Sequence, residues 1–350
     1  MTDDGGVESE PVRQRRQGDG ASSGESSAPA AVPASSGGSR LKAAVLLAGS
    51  TGRSRLCRAT GRAVVDLPVT PDESILDYWQ HELVDLALAR GLASLSVRGM
   101  VDRGGLKPTL RGSEPPVTMR LEEDPYDYRG TGGLISDLAR DYDDDDELLV
   151  VSGTVLPVER LVAMVDRLES VSADVAILAS ETGEPGGMLR LRCGAFRGIK
   201  PVGFVDLKEQ ALPQVAEVYD VRVVRMAGVT GRSIRTLASY VEELRSFTSR
   251  KLGERGGWGP WREDWRPTFG LVETGAEVDD TAVIHDSVVL RGARVGKGAA
   301  VVRSIVSSGS AVPAKTAVVD RVVGEAGRRR EERRVEGEPG VGVTRTEEAA

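Results

Sequence analysis

Residues 41–56 read LKAAVLLAGSTGRSRL, and this stretch decides the fold. Ala43–Ala48 is a continuous apolar run that stops at Gly49. Such a run, bounded by a glycine turn, is the pattern of a strand buried on both faces of a parallel sheet. Working outward, Ile75–Ala89 places apolar residues at helical spacing and ends at Arg90-Gly91, a C-cap signal. Further strands are expected at Leu92–Val97, Leu148–Ser152, Val175–Ala179 and Val221–Arg225. Helices are expected at Pro157–Leu168 and Leu237–Phe247. Strands alternating with helices predict a layered α/β domain with a mainly parallel sheet.

The 350 residues carry 46 Lys and Arg against 53 Asp and Glu, a formal charge of −7. That balance gives no basic face for nucleic acid. No apolar run reaches the roughly 18–20 residues of a membrane span, and the acidic start MTDDGGVESE is not a signal peptide. The expected setting is cytoplasmic, with no nucleic-acid or membrane partner. Cys57 and Cys193 are too few for a disulfide framework or a Cys-rich zinc site. Cys57 is read as a loop thiol and Cys193 as buried in a strand ending there. His81 falls in a helix and His285 in the C-terminal region. Two isolated histidines do not make a histidine-centred metal site.

Residues 1–40 are rich in Gly, Ser and Pro, and residues 325–350 are dense in charge. Both are expected to be disordered tails. Between them, 41–250 reads as the α/β domain. Residues 251–272, which hold three of the four tryptophans, read as a linker. Residues 273–324 change period. Small residues recur every six positions at Thr281, Ser287, Ala293 and Ala299, then Ala311 and Ala317, with Ile305 in the missing place. Two positions later stand Val283, Val289, Val295, Val301 and Val319, with Ser307 and Pro313 between. A period of six with an inward aliphatic is that of a parallel β-helix, one hexapeptide per side. Two to three coils are expected, too few to stand alone.

A glycine-rich turn after a parallel strand offers backbone N–H groups to phosphates. Here it is Gly49-Ser50-Thr51-Gly52, followed by Arg53 and Arg55. It is neither Gly-x-x-x-x-Gly-Lys-Ser/Thr nor Gly-x-Gly-x-x-Gly. Four segments in order carry a more specific signal. They are Leu47-Ala48-Gly49 with its turn, Arg55-Leu56 and Leu67-Pro68-Val69; Arg129–Leu134 (RGTGGL); Leu148–Leu156 (LLVVSGTVL); and Gly203–Gln210 (GFVDLKEQ). Together they resemble the sugar-phosphate nucleotidyltransferases. Those proteins open with L-A-G-G-x-G-T-R-L and P-K-P-L-x-P-V, carry L-G-T-A-G-A-L, and have a strand ending in N-G-D. The resemblance covers about 41–324, and a C-terminal left-handed β-helix is common in the family.

The resemblance implies a Rossmann-like, GT-A-like three-layer domain followed by a short left-handed β-helix. It implies transfer of a nucleotide from an NTP to a sugar 1-phosphate with release of pyrophosphate. Gly49, Ser50, Thr51, Gly52 and Arg55 would hold phosphates, with Arg55 the candidate catalytic cation. Gly130, Thr131 and Gly132 would line the base pocket. Mg²⁺ is the implied cofactor if the protein is active. At three places the chain departs from the pattern. Thr154 stands for the N-G-D aspartate, Ser233 for the second metal aspartate, and Val64 for the lysine of P-K-P, with Arg62 two residues away and Asp66 nearby. The acidic run at Asp141 and Asp143–Glu147 precedes a strand, at the end away from the site edge. The E-K-P sugar segment has no counterpart between Glu181 and Val202. Two other readings stand beside transfer. One is a non-catalytic regulatory or scaffold subunit, forming a homo-oligomer or a hetero-oligomer with a related nucleotidyltransferase. The other is an NAD(P)-binding Rossmann protein, which this reading disfavours because no clear acidic residue ends a second strand at the expected place.

Overall fold

A computed structural model describes residues 40–49, 54–124, 126, 129–157, 159–200, 202–227, 232–255 and 268–324. The two expected tails, turn residues 50–53 and the tryptophan-bearing 256–267 lie outside the described residues. The elements run β1 (Leu41–Leu47), α1 (Arg55–Thr60), α2 (Ile75–Ala89), β2 (Leu95–Val101), β3 (Val117–Glu123), α3 (Gly130–Ala139) and β4 (Glu147–Ser152). Next come α4 (Leu161–Glu169), β5 (Val175–Ala179), β6 (Pro185–Arg192), α5 (Cys193–Phe196), α6 (Leu212–Ala216), β7 (Val221–Arg225) and α7 (Leu237–Arg255). The chain divides into two compact units. One comprises 1–50, 77–104 and 110–232, the other 51–76, 105–109 and 233–350.

The first unit holds a seven-stranded sheet in the order β3-β2-β1-β4-β6-β5-β7. Every pairing is parallel except those of β6, which runs antiparallel to β4 and β5. Burial follows the pleat. Ala43 and Val45 face a cluster with Leu134, Leu138, Phe196 and Val215 from α3, α5 and α6. Their neighbours Ala44 and Leu46, and Leu149 and Val151 of β4, are equally buried on the opposite face. Apolar residues on both faces are what the run Ala43–Ala48 required.

Several boundaries differ from expectation for identifiable reasons. β2 starts three residues later and ends four later than the apolar run, because it continues through Arg98-Gly99. Arg98 is accommodated by Glu122 at 2.7 Å and Asp141 at 2.5 Å. β3 is a polar edge strand, VTMRLEE, with no apolar run to announce it. β6 occupies the stretch where no sugar segment was found. Cys193 is not in a strand: it opens α5 directly after β6, and desolvation pushes its thiol up to about 12. Cys57 is not in a loop: it is fully buried in α1. Asp143–Asp146 form the loop entering β4, at its N-terminal end.

The second unit contains three small parallel sheets, each receiving one strand from every coil. β8 (Gly270–Val272), β11 (Ser287–Val289), β14 (Ile305–Val306) and β17 (Val322–Val323) form one sheet. β9 (Glu277–Val278), β12 (Arg294–Val295) and β15 (Ala311–Val312) form the second; β10 (Val283–His285), β13 (Ala300–Val302) and β16 (Ala317–Val319) form the third. This is a β-helix-like region of three coils and a closing strand among the described residues. Its first strand falls inside the stretch expected to be linker.

Coil length is 17, not 18. Leu271, Val288, Ile305 and Val322 pair in series, and residues 17 positions apart hydrogen-bond, Arg303 Nε to Asp320 and the Ser304 N–H to Ser287 Oγ. The inward aliphatics are Val272, Val278, Ile284, Val289, Val295, Val301, Val306, Val312, Val318 and Val323, which step 6-6-5. A strict period of six therefore slips by one residue per coil. Val289, Val295 and Val301 are inward as expected. Val283 and Val319 are instead exposed, at 57% and 42%. Ser307 and Pro313, which broke the aliphatic series, are the residues next to the true inward Val306 and Val312. The five-residue step turns at Asp286, Arg303 and Asp320, all with positive φ of 43–52°.

Asp286 is also buried at its corner, where burial opposes its ionisation. Its carboxylate accepts from Arg245 at 2.7 Å and from the Phe269 N–H at 3.3 Å, with His285 at 3.6 Å. These contacts outweigh desolvation and hold the carboxyl below its usual value. A lowered folded pKa contributes stability above the unfolded value of about 3.9, lost as pH falls through the folded one. Melting curves between pH 5 and pH 2 should therefore show an acid-induced loss in the native chain that is smaller in Asp286→Asn.

Among the described residues, no helix is long and apolar enough to cross a membrane.

Candidate functional site

In the first unit a cleft of about 190 Å³ opens at the C-terminal edge of the parallel strands. Leu47 and Gly49 come from the end of β1, and Met100, Val101 and Asp102 from the end of β2. Asp124 follows β3, and Arg129, Gly130, Thr131 and Leu134 belong to the start of α3. Open α/β sheets place ligands outside the carboxyl ends of their strands, and this cleft is lined by the ends of β1, β2 and β3, three neighbours in that sheet. The volume is below the roughly 300–1,000 Å³ of ordinary ligand pockets. It suits one end of a ligand whose remainder lies outside.

Two glycines shape the walls. A Cβ on Gly49 would lie 2.3 Å from the Asp102 amide nitrogen and 2.7 Å from its Oδ1, so β1 and β2 meet at the cleft only because position 49 has no side chain. Gly130 has φ +73°, and a Cβ there would lie 2.4 Å from the Val205 carbonyl oxygen. The backbone of Val205 is bonded into the same turn. Its N–H donates to Arg129 O at 2.9 Å, and its carbonyl accepts from the Gly132 and Gly133 N–H groups at 3.0 and 3.3 Å. Two of the orphan amides of the first turn of α3 are thereby satisfied within the protein.

Arg129 underpins this arrangement. It is 3% exposed. Its Nε and Nη2 donate to Asp137 at 2.8 and 3.1 Å, and its Nη1 and Nη2 to the carbonyls of Gly203 and Lys200 at 3.0 and 2.8 Å. The Asp137 hydrogen bonds raise its pKa against the opposing effect of burial. Its guanidinium thus serves the fold, though it borders the cleft.

The residues singled out in the sequence are placed unevenly. Gly49, Gly130 and Thr131 line one cleft. Gly132 does not: it packs against Val205 and Ala211, with its amide already bonded. Ser50, Thr51 and Gly52 lie outside the described residues. Arg55 is an exposed residue at the start of α1, in the second unit. Thr154 is fully buried just beyond β4, with its hydroxyl 3.3 Å from Ser152 Oγ. Ser233 precedes α7 in the second unit and accepts from Arg235 Nε at 3.4 Å.

The other positions singled out by the resemblance are engaged within the protein. Val64 is 1% exposed. Arg62 Nη1 grips both oxygens of Glu273 at 3.0 and 2.9 Å, and its Nη2 reaches Ser308 at 3.0 Å. Asp66 accepts from the Thr109 N–H at 2.8 Å. Magnesium takes hard oxygen ligands, usually including one or two carboxylates. The hydroxyls of Thr154, fully buried in the first unit, and of Ser233, in the second, are not donors of that kind.

Asp102 and Asp124 were not anticipated. β2 and β3 are parallel, with Val101 opposite Glu123, so the two aspartates leave the sheet side by side. The Asp124 N–H donates to Val101 O at 3.0 Å, and its Oδ1 accepts from the Tyr126 N–H at 3.0 Å. Asp102 does end β2, but it lies far beyond the about 20 residues after the glycine turn at which a ribose-binding acid is expected. Stopping β2 at Val97 hid it; extending the strand through Arg98-Gly99 to the next apolar pair, Met100-Val101, would have found it.

No family model and no curated protein matches the chain. Among solved structures, the chain is similar to HddC from Yersinia pseudotuberculosis, at 13% identity and a TM-score of 0.42, over 59% of this chain and 100% of that one.

Proposed function

We propose that the chain is a sugar-phosphate nucleotidyltransferase-like protein that binds a nucleotide or nucleotide sugar without magnesium-dependent transfer. The observation that carries this reading is the cleft itself. It joins Gly49, from the turn after β1, to Gly130 and Thr131 of the second glycine segment, at the carboxyl edge of the sheet. The nucleoside end enters the cleft. Its walls hold two carboxylates, while the bordering guanidinium of Arg129 is spent on Asp137, so phosphates lie outside the cleft. The accompanying β-helix is taken as left-handed.

Hydroxyls at Thr154 and Ser233 and a buried Val64 favour a regulatory or scaffold subunit over an active transferase. Such a subunit would pair with itself or with an active relative. The expected result is a nucleotide-dependent rise in melting temperature, with no pyrophosphate released from any NTP and sugar 1-phosphate in the presence of Mg²⁺. Turnover abolished by Arg55→Ala would overturn the non-catalytic reading and restore Arg55 as the catalytic cation.

One observation favours a second reading. Asp102 ends β2 beside Gly49, as the ribose-binding acid of a dinucleotide fold does, although that acid follows its glycines by only about 20 residues. A larger thermal shift with NADPH than with GTP, UTP, ATP or dTTP would select it.

A further inference from the structure

The inference concerns the face through which the chain pairs with itself, and it rests on the self-pairing named above rather than on the nucleotide cleft. The coil region has three outer faces, one per sheet. Leu271, Val288 and Ile305 point outward from the first and are buried. Glu277 and Arg294 point outward from the second and pair there at 2.9 Å, both exposed. In the third, Ile284, Val301 and Val318 face inward, so their strand neighbours face outward. These neighbours are Val283, Ala300 and Ala317 in one row and His285, Val302 and Val319 in the other. Val283, Ala317 and Val319 are exposed, and neither row holds an acid, a lysine or an arginine. The third face thus has the composition of the buried one and the exposure of the charged one. We propose that two copies of the chain meet on this face, about a twofold axis running along β13.

The charges at the corners choose both the partner and the axis. Where the chain enters these strands, Asp280, Lys297 and Lys315 stand exposed, one from each coil, and none of them forms an ion pair among the described residues. A face that packs on its own copy uses the same patch twice. An axis along β13 keeps each position along the strand and reverses the order of the coils. It therefore sets Asp280 of each copy against Lys315 of the other. Lys297 falls on the axis, where its flexible stem lets the ammonium turn aside. The alternative axis, across the strands, exchanges the two corners. It sets Asp280 against Asp286 and Lys297 against Arg303, like against like, and only Lys315 against an acid, Asp320. Opposite charges across an interface fix its register and like charges oppose it. Three strands at about 4.8 Å apiece fall well short of the roughly 800 Å² per partner of a standard interface, so the pairing is weak and depends on concentration.

The experiment is sedimentation velocity of the full chain from micromolar to millimolar concentration, which should show a monomer–dimer equilibrium. Val302 meets its own copy at the axis, so Val302→Lys should weaken the dimer at least tenfold. Its side chain points outward, so the melting temperature of the dilute variant should stay close to the parent's. Val319→Lys is the second variant, with the same expectation. Asp280→Lys and Lys315→Asp should each weaken the dimer at least threefold, and the two together should restore it, because both opposite-charge contacts return with their signs exchanged. A monomer at every concentration would overturn the inference and the self-pairing with it, and leave the nucleotide reading standing. A dimer unaffected by both lysine variants would overturn the inference alone. A doubly exchanged chain that dimerises no better than the single variants would overturn the axis along β13.

Discussion

Gly130→Ala lowers the melting temperature of the first unit by roughly 10 °C. Two costs add. A side chain held at φ +73° costs about 1–3 kcal/mol. The new Cβ also lands 2.4 Å from the Val205 carbonyl oxygen, so either α3 or the 202–206 segment must move and the bonds from Gly132 and Gly133 stretch. Together these reach about 4 kcal/mol, and one kcal/mol moves the melting point of a 150–250-residue domain by roughly 2–4 °C. Gly91→Ala is the control. Gly91 also has positive φ, at +61°, but nothing lies within 4 Å of a Cβ there. Its loss should be less than half as large. Equal shifts for the two variants would show that close approach to Val205 is not what requires glycine at 130.

Arg129→Met has a comparable effect by a different route. Methionine preserves most of the buried volume but removes every donor. Asp137 is left partly buried with only Arg140 at 3.3 Å, and the carbonyls of Lys200 and Gly203 lose their partner. Breaking a buried ion pair from one side costs about 3–5 kcal/mol. Urea unfolding should register that loss. Arg129→Lys should fall between, because an ammonium keeps the charge but not the fork that reaches Asp137 and two carbonyls at once. Adding Asp137→Leu to Arg129→Met should restore part of the stability, since the penalty lies in the stranded carboxylate. A double variant no better than the single one would mean that the carbonyls, not the charge, dominate.

How much of this could be read beforehand depends on what each segment buries. α2, β5 and β7 were legible to the residue, because helical apolar spacing in one and short aliphatic runs in the others leave no second interpretation. β3 and β6 were not. The first is a polar edge strand. The second, PGGMLRLR, mixes glycines with arginines that are paired at the strand's end, Arg190 with Glu147 at 2.6 Å. Of the residues marked in the two glycine segments, Gly49, Gly130 and Thr131 line one cleft. Gly132 shares the motif but faces Val205 and Ala211, because successive residues of a helix point to different sides. Asp102 and Asp124 went unnoticed because each directly follows a strand whose run of apolar residues is broken, by Arg98-Gly99 in β2 and by Arg120 and two glutamates in β3. Arg62 shows the reverse case, a cation at an inviting position already claimed by Glu273.

The 6-6-5 step of the coils has an engineering consequence. Each turn of chain from one sheet back to the same sheet consumes 17 residues, and the left-handed corners at Asp286, Arg303 and Asp320 recur at that interval. The region is therefore a ruler marked in seventeens. Duplicating residues 287–303 adds one whole coil with every inward valine still inward, and sets two copies of Arg303 at adjacent corners, one next to Asp286 and the other next to Asp320. An 18-residue insertion, the length a plain hexapeptide rule prescribes, turns the following strands over and sends their valines into water.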